Sequence, residues 1–208
     1  MRPITLCMLG IYDAGKSTLV HSFMQRSRAP QSTMGAAYFV YTHNEHTLHI
    51  WDTAGQERYA SLLPMYTRRA DILIFAIDPT NIDSVPYLKR TIPPTLASRS
   101  RNPPHAIHIV ITKSDTQRDD IQPNFLIQNA TKYIREALAE AVMPHVQIRS
   151  FITSARTKKN IEPPFTTGIE AIYENEALEQ IIDPLLNPIL TEPEPSSARY
   201  TLSRCCPI

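Results

Sequence analysis

Apolar positions fall in short runs separated by polar, helix-forming stretches, and the spacing of the runs predicts the elements. Ile4 to Leu9 is mostly apolar and predicts a first strand, and Lys16 to Met24 then predicts a helix with Leu19, Val20 and Phe23 inward. Gln25 to Thr33 is polar and without period, which predicts a mobile loop. Ala36 to Tyr41 and Thr47 to Trp51, joined by His43-Asn44-Glu45, predict a hairpin. The continuous apolar runs Ile72 to Ile77 and Ile107 to Ile111 predict buried parallel strands, and Val146 to Ile152 predicts the last strand. Between them, Ser84 to Leu96 is helix-like, with Pro93-Pro94 predicting a kink or an end. Asn124 to Val142 is a longer helix with Phe125, Ile127, Tyr133, Ile134 and Leu138 partly on one face, and Ile169 to Ile182 is the last helix. This alternation predicts an α/β fold: a six-stranded, mostly parallel sheet with helices on both faces and one strand antiparallel through the hairpin.

At 208 residues the chain is long enough for one domain with a proper core, 1–183, followed by a flexible tail, 184–208. A net charge of +1 gives no electrostatic footprint for nucleic acid. There is no run of eighteen apolar residues, and Met1-Arg2-Pro3 enters the first strand almost at once, so neither a membrane span nor a signal peptide is expected. Of the three cysteines, Cys7 reads as a small core hydrophobe while Cys205 and Cys206 lie near the end, so no disulfide framework is expected. The 18 prolines cluster at Pro93-Pro94, Pro103-Pro104, Pro163-Pro164 and from Pro184 to Pro195.

The first strand runs into Gly10-Ile11-Tyr12-Asp13-Ala14-Gly15-Lys16-Ser17 and then into a helix. Strand, glycine-bounded loop and helix in that order make a P-loop: the backbone curls until successive N–H groups converge on one anion, and the helix N-terminus adds its positive end. Asp13, Ala14 and Gly15 line such a cradle, Lys16 would reach the β and γ phosphates, and the Ser17 hydroxyl would ligate Mg²⁺. Further on, Asp52 ends a hydrophobic strand and is followed by a small-residue turn, which suits a water-mediated Mg²⁺ ligand. Gly55 could offer its N–H to a γ-phosphate and Gln56 could orient an attacking water. Four of the five glycines, Gly10, Gly15, Gly35 and Gly55, fall in these segments.

With these motifs in order, the chain from about Pro3 to Ile182 resembles the Ras superfamily of small GTPases and, within it, the Rab family. Trp51 to Tyr59 (WDTAGQERY), Ser61-Leu62, Pro64-Met65-Tyr66 and Ser32 to Tyr38 (STMGAAY) are similar to the early-endosomal branch. The resemblance implies a P-loop small GTPase fold that binds GTP and GDP, with Mg²⁺ held by Ser17, Thr33 and, through water, Asp52. It makes Gln56 the residue that positions the hydrolytic water, with Thr33 and Gly55 holding their loops against the γ-phosphate until hydrolysis releases them. Guanine would be read by Asp115, whose carboxylate accepts two N–H bonds from an edge that adenine lacks. Thr112, Lys113, Ser154 and Ala155 would complete the base site.

Three departures stand out. Thr112 replaces the usual Asn and loses its amide. The loop between Phe23 and Tyr38 holds no aromatic residue to cover the base, leaving Arg28 or nothing to stack there, which predicts faster nucleotide release. Tyr12 stands where relatives carry a small residue, so its phenol could crowd Gln56 or bond the γ-phosphate, and either predicts slow intrinsic hydrolysis.

The tail is rich in Pro, Ser and Glu, reads as a disordered spacer, and ends in Cys205-Cys206-Pro207-Ile208. The ending resembles the paired-cysteine signal of Rab proteins, two lipids giving the two signals that stable anchoring needs; a single lipid on Cys205 is the alternative. The expected function is a membrane-anchored GTP/GDP switch in vesicle or endosomal traffic, on the cytoplasmic face of those membranes with a cytosolic pool. Effectors, an exchange factor and a GTPase-activating protein would meet it at the switch loops. The rival is a Rab-like binding module with slow or no hydrolysis that captures Rab partners.

Overall fold

A computed structural model of the chain describes residues 2–26, 32–99, 102–116, 122–143, 145–174 and 176. The chain divides into two units, Met1–Glu170 and Ala171–Ile208, and the first carries the features described below. Residues 169–174 are helical, as expected of the last helix. Most of its remainder, together with Arg28, Cys205 and Cys206, lies outside the described residues. Among the described residues no helix is long and apolar enough to cross a membrane.

The strands are β1 (Ile4–Leu9), β2 (Ala36–His43), β3 (His46–Thr53), β4 (Ile72–Ile77), β5 (Ala106–Ile111) and β6 (Gln147–Ile152). They form one sheet in the order β2-β3-β1-β4-β5-β6, parallel throughout except for the β2–β3 hairpin. The hairpin is longer than its apolar pattern, closing at His43 opposite His46, with Asn44 in a left-handed conformation that its short polar side chain tolerates. The helices are α1 (Lys16–Phe23), α2 (Leu63–Thr67), α3 (Ser84–Ala97), α4 (Pro123–Glu140) and α5 (Pro163–Thr166), and a 3₁₀ turn, Glu57–Leu62, leads into α2.

Strand register sorts the core into two faces, because alternate side chains point to opposite sides. Cys7, Leu9, Leu73, Phe75, Ile77, Ile107 and Ile109 share a face with the inward residues of α3 and α4. The opposite face carries Leu48 and Ile50, whose β2 partners Tyr41 and Phe39 meet the α1 side chains Phe23 and His21 edge-on. Phe23 also stacks on Phe165 of α5, and buried His108 of β5 bonds through Nδ1 to Pro164 O at 2.9 Å. Burial pushes the His108 pKa down to about 4, so at pH 7 the ring is neutral and Nδ1 is the donor.

Two expectations are corrected. Of the kink or end expected at Pro93-Pro94, the end does not occur, and α3 continues to Ala97. Each proline forfeits an intrahelical bond, but the buried stripe Tyr87, Leu88, Ile92 and Leu96 holds the segment against the sheet. In α4 the buried residues are Ala130, Ile134, Ala137 and Leu138, while Phe125 is 62% exposed. Five residues from Ala130 is well off a stripe of 3.6-residue period.

Candidate nucleotide-binding site

The functional residues gather at the carboxyl ends of the parallel strands, where open α/β sheets place their ligands. After β1 the chain turns tightly, with Ala14 N–H donating to Ile11 O at 3.2 Å, and both Asp13 (φ 60°) and Gly15 (φ 79°) take left-handed conformations. Gly10 admits no side chain, since a Cβ there would lie 2.5 Å from Ala76 O. Gly15 is the N-cap of α1 and supplies no side-chain cap, which leaves the first-turn N–H groups of that helix to an anion.

Lys16 is buried, with Nζ donating to Gly10 O and Ile11 O at 2.9 Å each. Burial pushes its pKa down to about 8, against the opposing charges of Asp52 and Asp13. An entering polyphosphate would supply the counter-charge that two carbonyls cannot. The cavity at this loop, about 200 Å³, is lined by Asp13, Gly15, Lys16, Ser17, Thr33 and Gly55 among others, and Tyr12, 52% exposed, forms part of its rim.

Ser17 Oγ lies 2.9 Å from Thr33 Oγ1, which donates to Asp52 Oδ2 at 3.3 Å. Asp52 is buried, and its Oδ1 has no hydrogen-bond partner among the described residues. Burial raises its pKa, while the Ser17 hydrogen bond and the Lys16 charge pull the other way. A buried carboxylate with an oxygen to spare, beside two hydroxyls, fits a hard divalent cation of the Mg²⁺ type. The strand-end carboxylate and the two hydroxyls come from β3, the loop before β2 and the start of α1, so only the fold brings them together.

Gly55 packs directly on the phosphate loop: a Cβ there would lie 2.3 Å from Ile11 C and Tyr12 N. The next residue, Gln56, keeps its Oε1 buried and without a partner among the described residues. That is an acceptor ready for a water molecule.

A second cavity of about 200 Å³ adjoins the first across Gly15 and Thr18 and is lined by Thr112, Lys113, Asp115, Ala155 and Arg156. The Thr112 hydroxyl reaches Ala14 O at 2.8 Å and Ile77 O at 3.1 Å, tying the end of β5 to the phosphate loop. Asp115 accepts from Ser154 Oγ at 2.5 Å and pairs with Arg156 Nε at 2.9 Å, and the Ser154 bond holds its pKa below the usual carboxylate range. Lys113 Nζ donates to Asp78 Oδ2 at 2.9 Å and to Asp13 Oδ2 at 3.1 Å. Sequence reasoning missed Asp78, Arg156 and the structural use of Thr112; for Asp78 the signal was its place at the end of a buried strand.

The family model described as the Ras family matches residues 5–174. The GTP-binding protein ypt5 of Schizosaccharomyces pombe is 35% identical over 182 residues, 84% of this chain and 80% of that protein. The Ras-related protein RABF2b of Arabidopsis thaliana is 33% identical over 211 residues, 97% of this chain and 94% of that one. Among solved structures, the Arl6 BBS3 small GTPase from Trypanosoma brucei with bound nucleotide analogue GppNp matches with a TM-score of 0.69 over 83% of this chain and 99% of its own, and at 14% identity shows the fold alone. Phosphate loop, base cavity and family match agree: the chain belongs to the Ras family of small GTPases, as a Rab of the early-endosomal branch.

Proposed function

We propose that the chain is a membrane-anchored switch in endosomal or other vesicular traffic, binding GTP and GDP with Mg²⁺ and hydrolysing one to the other. The observation that carries this reading is the joining of two cavities across Gly15, one lined by the phosphate loop and the other by Asp115. A nucleoside phosphate laid across them puts its phosphates against Lys16 and the N-terminus of α1, and its base against Asp115. Ser17, Thr33 and, through water, Asp52 would hold Mg²⁺, whose chemistry there is neutralisation of charge on the β and γ phosphates. Gln56 Oε1 accepts a hydrogen bond from the attacking water, which adds to the γ-phosphorus as the bond to the β–γ bridging oxygen breaks, leaving GDP and phosphate. Effectors and regulators would meet the switch segments at exposed apolar residues such as Met34 before β2, Tyr38 on β2 and Met65 on α2.

Anchoring rests on Cys205 and Cys206. Incubated with a Rab geranylgeranyl transferase and its lipid donor, the chain should gain the mass of two geranylgeranyl groups, and no gain would remove the anchor from the reading.

A second reading, a Rab-like module that holds GTP with little turnover, is favoured by Tyr12, whose backbone abuts Gly55 beside Gln56. Loading the protein with GTP and Mg²⁺ and following GDP by chromatography, beside a Tyr12→Gly variant, separates the two. Measurable turnover in the parent supports the self-resetting switch. If the phenol crowds Gln56, the variant turns over about tenfold to a hundredfold faster, the range set by restoring a displaced catalytic group. Equal rates would clear Tyr12 of that role.

A further inference from the structure

We propose that His108 is an acid-sensitive fastening, and that a proton taken up by its ring releases α5 from the sheet while the strands stay paired. The ring is fully buried on β5, and its Nδ1 donates to Pro164 O of α5 at 2.9 Å. Its Nε2 is also buried and has no hydrogen-bond partner among the described residues. A second proton, on Nε2, would therefore meet no acceptor.

The neighbours do not welcome the charged ring either. Its register partners are Ile74 on β4 and Arg149 on β6, and Phe151 meets the ring edge-on at 5.2 Å. Arg149 repels an imidazolium, and of these neighbours only the Pro164 carbonyl favours one. Glu162, at the start of α5, is the nearest carboxylate along that element, but its Oε1 lies 3.2 Å from His43 Nε2 at the end of β2. The fold holds the His108 pKa at about 4 against an ordinary 6.5, so the neutral ring contributes its full stability above pH 6.5 and loses it as the pH falls toward 4.

The element that yields is α5. It has four residues, and beyond the His108 bond it is held by Phe165 stacked on Phe23 at 4.3 Å and by the surface pair of Glu162 with His43. β5, by contrast, is paired with β4 on one side and β6 on the other. Lifting α5 lets water reach the ring, so that both nitrogens can donate and the proton is stabilised.

His108→Asn is the informative variant, because its amide can donate to Pro164 O from near the place of Nδ1 and cannot titrate. Hydrogen exchange on the full chain, with GDP and Mg²⁺ in excess, follows the N–H groups of Phe165 and Thr166, which donate to Glu162 O. In the parent their protection, corrected for the intrinsic rate, should fall about twentyfold from pH 7 to pH 5 while the N–H groups of β5 keep theirs. In His108→Asn it should hardly change with pH. The His43–Glu162 pair is common to both proteins, so its own response to acid cancels. Should the variant fail to fold, the long-range nitrogen–proton spectrum of the parent ring decides: a neutral ring with its proton on Nδ1 at pH 6 supports the inference, and an imidazolium at that pH overturns it. Equal pH dependence in parent and variant overturns it too, as does protection lost from α5 and β5 together, which would make the proton a trigger of global unfolding.

Discussion

Gly55→Ala is expected to cut GTP hydrolysis by about a hundredfold while changing GDP affinity only a few-fold. The new Cβ would sit 2.3 Å from Ile11 C and Tyr12 N and 2.5 Å from Gly10 O. All three are backbone atoms, so no rotamer relieves the clash. The segment after β3 has to lift off the phosphate loop, and Gln56, the next residue, goes with it. A displacement of about 1 Å in a positioning group is enough for a loss of that size. The base cavity and Lys16 are not displaced, so binding survives. Single-turnover hydrolysis and GDP titration on the same variant check both halves, and hydrolysis within threefold of the parent would mean that the observed packing of Gly55 is not the catalytic one.

Arg99→Ala should destabilise the fold by about 3–5 kcal/mol, lowering the melting temperature by roughly 6–20 °C in a chain of this size. Arg99 is 2% exposed, and its guanidinium donates to Thr67 O and to Ala70 O, the latter at 2.7 Å, while its Nε donates to Asn102 O at 3.1 Å. Burial pushes its pKa down to about 10, so the group stays charged at neutral pH, supported by carbonyls at the negative end of α2. Alanine would strand those carbonyls and leave a cavity. Arg99→Lys should recover only part of the loss, because a point ammonium cannot fork between Thr67 and Ala70. Thermal and urea unfolding of both variants measure this, and an alanine variant as stable as the parent would refute it.

Much of this was legible in the chain because it depends on near neighbours. The buried strands announce themselves as apolar runs, and the phosphate loop works through residues a few positions apart. What escaped depends on the fold. Lys113 meets Asp13 and Asp78 across 100 and 35 residues, and nothing local to any of the three marks the pairing. The Thr112 hydroxyl ties the end of β5 to Ala14 O, a use visible only once β5 lies beside the phosphate loop. α2 and α5 are too short to show a period, and only the prolines at their starts hint at them. In α3, burial of one face outweighed the strongest local breaker in the sequence.

Arg99 also makes the two ends of α2 unlike one another. The far end of α2 is bolted down by a buried guanidinium, and Asn102 Nδ2 adds a bond to Arg68 O at 3.1 Å. The near end follows the 3₁₀ turn, where Arg90 and Glu57 form an exposed pair at 3.3 Å, weak in water, and where Leu63 is buried in the core. The two ends of this five-residue helix are thus held by different forces, hydrogen bonds to a buried guanidinium and an amide at its carboxyl end and apolar packing of Leu63 at its start.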